Sequence, residues 1–136
     1  SAAWWKNEVV YLNKFIAMSP NEDEKHIVKR VLEHLSLSAF SASSSLYNQN
    51  KFVDAEHYIE IYSIIDSDNP EPVFMKAQLA ARKNNADQTL EQLKKAASMG
   101  FAERSRVDND TIFMKFKEKK GFSDILDIIS KNQNKK

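Results

Sequence analysis

Val28, Leu32, Leu35, Ala39, Ala42 and Leu46 recur at 4-3-4-3-4 spacing, with neither glycine nor proline between them. Apolar residues at that rhythm share one face of an α-helix, whereas a strand alternates its faces with period two. The spacing predicts one long helix over residues 21–49, with a break near Ser36–Ser38 as the alternative. The rest of the chain is as sparsely punctuated, with two glycines and three prolines in 136 residues. All-β folds and glycine-rich phosphate loops need more turns than that. The reading is all-α, and 42% apolar residues are enough for one domain with a sizeable core.

Other helices follow from the same rhythm. Over residues 3–18, Trp5, Val9, Leu12 and Ile16 make one apolar stripe, and Trp4, Tyr11, Phe15 and Met18 make a second beside it. Two stripes predict a helix held between neighbours, or docked on a segment upstream. In SPNE, Ser19 stands three before Glu22, the capping-box spacing, with Pro20 in the first turn. Asn48-Gln49-Asn50 and Asn84-Asn85 read as turns, bounding helices over 51–66, 70–83 and 86–99. Asp68 and Asn69 cap the second of these, with Pro70 in its first turn, and Gly100 stops the third. RSRVDND (104–110) reads as a connector ending in a helix cap, before shorter helices at 109–118 and 122–131.

DSDNPEP (66–72) holds two of the three prolines and separates two helix-like stretches. Sliding the chain along itself until Ser36 falls on Pro70 explains it. Ser43 then falls on Ala77, Phe52 on Ala86, Ala55 on Thr89, Ile59 on Leu93, Tyr62 on Ala96 and Asp66 on Gly100. Small residues meet small ones, and aliphatic meets aliphatic in the second helix. A 34-residue period built from two helices and two tight turns resembles the tetratricopeptide repeat (TPR). The phrase KFVDAEHYIEIYSIIDSDNPEP carries the likeness best, and DSDNPEP becomes the joint between copies. The departures are Ala39 and Val73 where the family has a large aromatic, and Ala86 and Thr89 in the second copy.

The resemblance implies an α-α superhelix, a TPR-like solenoid of about seven antiparallel helices forming a single domain over 1–136. Residues 1–35 would be an N-terminal partial repeat, 36–69 and 70–103 two full repeats, and 104–136 a degenerate closing repeat. Within that last part, MGFAERSRVDNDTIFMKFKEKKGFSDIL looks like the Phe-bearing end of such arrays. An unrelated all-α bundle is the alternative. In this family the first helices of successive repeats line a concave groove for a peptide. Carried over, the groove residues are Phe40, Ser44, Tyr47, Phe74, Gln78 and Arg82, with Ala81 beside them. Aromatic rings and guanidinium groups suit such contacts. The carboxylate clamp of chaperone-binding relatives is missing, since Phe40, Ser44 and Met75 occupy its positions, so an apolar or aromatic ligand is expected.

Catalytic chemistry finds little support. With no cysteine there is no disulfide, thiolate nucleophile or Cys-containing zinc site. His26 and His34 share a helix face about 12 Å apart, too far for one metal. His57 has Asp54 three before and Glu60 three after, but the two carboxylates diverge around the helix. Glu22-Asp23-Glu24 reads as an exposed capping cluster. Asp108, Asn109 and Asp110 lack the glycine and closing Glu of a calcium loop. The serines of SAFSASSSLY (38–47) have no glycine elbow and no His partner.

Net charge is +1, with acidic residues gathered in 51–71 and eleven Lys or Arg against six Asp or Glu in 94–136. Solvated helix faces and a basic KNQNKK tail account for this, and without interleaved aromatics nucleic acid is not expected. No apolar run reaches the roughly 18–20 residues that span a bilayer. The expected function is a non-enzymatic scaffold that binds a protein or peptide, without metal or cofactor. The alternative is an accessory domain of a larger, exported bacterial-type protein, its groove filled by its own first helix. Trp4, Trp5 and Tyr11 form a candidate second interface, and pairing of two copies through end helices is also expected. The chain opens on Ser1-Ala2 and not Met, which fits loss of an upstream signal or domain. No compartment is readable, and cytoplasm and periplasm both fit.

Overall fold

The computed structural model describes residues 1–135; Lys136, the last residue of the KNQNKK tail, lies outside them. The described residues are all-helical: α1 (Ala2–Met18), α2 (Glu22–Asn48), α3 (Phe52–Ile65), α4 (Pro70–Arg82), α5 (Ala86–Ser98), α6 (Arg104–Asp108), a 3-10 helix (Thr111–Phe116) and α7 (Phe122–Asn134). They form two compact units, Ser1–Ser67 and the residues from Asp68 onward. The division falls inside DSDNPEP, just before the joint expected at Pro70.

In the first unit α2 runs unbroken through Ser36–Ser38 and pairs with α3. Ala39 and Ser43 of α2 and Ala55 and Ile59 of α3 are buried, so small side chains fill the seam where the two helices approach. Ser43 Oγ donates to the Ala39 carbonyl at 2.7 Å, which satisfies a buried hydroxyl within its own helix. Phe40 meets Tyr62 edge-on at 6.2 Å, Tyr47 meets Phe52 at 5.7 Å, and Ser36 Oγ donates to Asp66 Oδ2 at 2.9 Å. Helix α1 lies against α3 and α2. Val9 alone among the α1 residues is buried.

The start of α2 differs from the capping-box expectation. Asn21 is the N-cap, and its Oδ1 accepts from the N–H groups of Asp23 and Glu24 at 3.0 and 3.2 Å. Asn caps at least as well as Ser, and here it sits closer to the orphan donors. Ser19 instead closes α1 with its own N–H, while its Oγ accepts from Asn21 N–H and donates to Glu24 Oε2.

The second unit has a continuous core. Phe74, Ala77 and Ala81 of α4 and Leu93, Ala96 and Ala97 of α5 pack with Phe101, Val107, Phe113, Phe116 and the α7 face of Phe122, Ile125, Leu126 and Ile129. RSRVDN is not a plain connector: it contains α6, whose Val107 is buried and whose Arg104 pairs with Asp108 at 3.0 Å one turn away. The helix expected over 109–118 is a 3-10 helix, capped by Asp110 Oδ1 accepting from Ile112 N–H at 3.2 Å. The reason is Phe113 and Phe116. Three residues make one 3-10 turn, so both rings eclipse into the core, where an α-helix would spread them by about 60°. Asn132 Nδ2 then donates to the Ala97 and Phe101 carbonyls, tying α7 to the end of α5.

The turn between paired helices recurs in both units. Asn50 and Asn84, which the repeat shift superposes, take φ of 61° and 56°, a left-handed conformation that Asn tolerates and most residues avoid. Each closes the preceding helix with the same three bonds. Gln49 N–H reaches Ser45 O, Asn50 N–H reaches Tyr47 O, and Lys51 N–H reaches Leu46 O. Lys83, Asn84 and Asn85 repeat them on Leu79, Ala81 and Ala80, and all six span 2.9–3.1 Å. The last two of each set are the Schellman pattern. The second helices end differently, α5 at Gly100 with φ 101° and α3 at Asp66 with φ −130°.

Candidate functional site

Helix α4 turns its apolar side into the second unit's core and leaves Gln78 at the edge of an open hollow of about 370 Å³. The other walls are Arg106 from α6 and Asn109, Asp110 and Thr111 from the turn before the 3-10 helix. Gln78 Nε2 lies 3.5 Å from Asp110 Oδ2, a long contact that leaves the carboxylate and the amide able to accept or donate elsewhere.

Arg106 organises this corner. Its Nη2 and Nη1 donate to Glu71 Oε1 and Oε2 at 2.6 and 2.7 Å, and Nη1 also donates to Glu103 Oε2 at 2.8 Å. The guanidinium lies over the Phe74 ring, 4.6 Å from its centroid, and 5.6 Å from that of Phe101. The hydrogen bond to Glu71 chiefly raises its pKa above the ordinary arginine value; burial works the other way, and Glu103 adds to the rise. Arg106 is therefore a fixed cation, already neutralised by two carboxylates. A planar guanidinium suits both the fork to Glu71 and the aromatic faces beneath it.

The structure gathers Gln78 with Arg106 and Thr111, which sequence reading passed over, and with Asn109 and Asp110, which it weighed as a calcium loop and read as a helix cap, all in or beside RSRVDND. Their one advance signal was the density of hydrogen-bonding side chains there, which read as connector and cap. Phe74 has no exposed surface: it stacks on Phe101 at 4.3 Å and leans on Phe113 at 5.9 Å, so it is a core residue with nothing to offer a ligand. Met75 is buried too. Arg82 is exposed at the end of α4. In the first unit, Phe40, Ser44 and Tyr47 are half-buried, the two rings resting on Tyr62 and Phe52 of α3. Trp4 and Trp5 meet edge-on at 4.9 Å; Trp5 is half-buried, while Trp4 and Tyr11 are exposed.

The three histidines are exposed, and among the described residues no group of three His, Asp or Glu gathers to hold a metal ion. No helix of the described residues is long and apolar enough to cross a membrane. No family model, curated protein or solved structure matches the chain.

Proposed function

We propose that this protein is a non-catalytic helical-repeat scaffold of the TPR type that binds a peptide or partner protein. The observation that carries the reading is the turn repeated at Asn50 and Asn84, the same Asn conformation closed by the same three hydrogen bonds. A repeat of this period is a structural unit whose neighbours supply binding surface rather than chemistry. In the second unit the contact surface is the solvent side of α4, Gln78 and Arg82, extended by the hollow of Asn109, Asp110 and Thr111. Those groups can exchange hydrogen bonds with the backbone of an extended segment. In the first unit it is Ser44 and Tyr47.

Affinity capture with the wild type and a Tyr47→Ala, Gln78→Ala, Arg82→Ala variant tests the reading, once circular dichroism shows the variant folded. A protein held by the wild type and released by the variant supports it. Equal retention by both, or no retained protein, contradicts it.

A further inference from the structure

The two apolar stripes of α1 have different fates. Trp5, Val9, Leu12 and Ile16 are half-buried or buried on the side that meets α3 and α2. On the other side Trp4, Tyr11 and Met18 are 54%, 64% and 80% exposed, while Phe15 of the same stripe is half-buried. Single exposed apolar residues are ordinary, but three large ones in line along one helix face make a patch. Aromatic side chains carry about 150–250 Å² each, so these three leave on the order of 400 Å² of apolar surface open.

We propose that this face is the contact between two copies of the chain, with their α1 helices antiparallel about a two-fold axis at Tyr11. Three features select a second copy. Trp4 and Met18 each lie seven residues from Tyr11, so an axis there sets Trp4 against the partner copy's Met18 and Tyr11 against its counterpart. A two-fold contact requires such self-complementarity, and a thioether packs well on an indole. Next, the area fits a weak, concentration-dependent pairing: two such faces bury about 800 Å², below the range of stable interfaces. Lastly, the charge agrees. Asn7 and Lys14 share one flank, and the axis brings Asn7 of one copy within about 2 Å, along the helix, of the level of Lys14 in the other. The two lysines do not oppose each other. Seven-residue spacing drifts by about 20° per repeat on a straight helix, which suits a shallow left-handed crossing. The proposal stands on α1 alone and does not depend on the repeat reading.

The absence of cysteine makes the test direct. Sedimentation of the full chain should show a concentration-dependent shift from 15.6 kDa to twice that mass. Tyr11→Lys, at an exposed position, should keep the helical dichroism and weaken the association on the order of tenfold or more. Under mild oxidation Tyr11→Cys should form a disulfide-linked dimer, and Val53→Cys, on the 83% exposed Val53 of α3, should not. Trp4→Cys mixed with Met18→Cys should cross-link far better than either alone, which fixes the antiparallel sense. A chain that stays monomeric at high concentration overturns the proposal. So does a dimer untouched by Tyr11→Lys, or one in which Trp4→Cys links best to itself.

Discussion

The two units share a helix–turn–helix closure and differ in how the helices are finished. Around the Asn84 turn, α4 and α5 bury Ala77, Ala81, Leu93 and Ala96, and the 3-10 helix and α7 complete the core with Phe113, Phe116, Phe122 and Ile129. Around the Asn50 turn, α2 and α3 bury Ala39, Ser43, Ala55 and Ile59, but the third helix is α1, which leaves Trp4, Tyr11 and Met18 in solvent. Ile27, Val31 and Leu37 of α2 are exposed as well. One local geometry therefore supports two outcomes. The turn sets where paired helices begin and end, while the supply of large side chains from the third element sets how much is buried.

If that contrast is real, core truncations should rank by unit. Phe74→Ala removes a ring stacked on Phe101 and covered by Arg106, so a cost toward the top of about 3–5 kcal/mol is expected in urea unfolding. Ile59, although fully buried, belongs to a seam of small side chains, Ala39, Ser43 and Ala55, and not to an aromatic cluster. About 2 kcal/mol is expected for Ile59→Ala, the low end for its type. An Ile59→Ala cost at or above that of Phe74→Ala breaks the comparison.

The second unit also holds an electrostatic anchor, Arg106 forked on Glu71. Arg106→Lys keeps the charge but loses the fork to Glu71 and the flat contact with Phe74, at a cost of about 1–2 kcal/mol by thermal or urea unfolding. No loss would mean that the aromatic stack, and not the ion pair, sets the corner.

The turns test the other half of the contrast, the part that is shared. Asn50→Ala and Asn84→Ala should each cost about 1 kcal/mol, because a Cβ without the Asn side chain is disfavoured at positive φ. Glycine at either position should be close to neutral. Equal costs at the two sites sharpen the repeat; a difference well beyond a few tenths of a kcal/mol blunts it. Asn84 also contacts Lys115, an exposed pair worth little. Smallest of all, Val53→Ala on the open face of α3 should change stability by less than about 0.5 kcal/mol.

How far the sequence reached follows the same line. Helices α1 to α5 were legible within a residue or two, because their apolar spacing and their Asn, Pro and Gly boundaries agree. Gly100 and Asn69 act as read, Gly100 at positive φ and Asn69 capping Glu71 N–H at 2.9 Å. Past Gly100 local rules held for α7, expected over 122–131 and found at Phe122–Asn134, but lost their grip before it. A five-residue helix around one valine has too little periodicity to register, and Phe113 and Phe116 fit an α-helix or a 3-10 turn until the core chooses. Two stripes on α1 were visible, but which one would be covered depends on α2 and α3. The site was least legible. Phe40 and Phe74 look equivalent under the repeat shift, yet one is half-buried and the other wholly enclosed, and Arg106 carried no sign of its distant partner Glu71.

Hydrogen exchange of the dilute, monomeric full chain reads the central contrast residue by residue. Lys51 and Asn85 amides, which close the two turns, should both be protected, as matching bonds require. The amides of α5 and α7 should exchange only by opening of the whole second unit, and those of α1 orders of magnitude faster. Protection of α1 equal to that of α5, or one closing amide protected and the other free, would contradict the account.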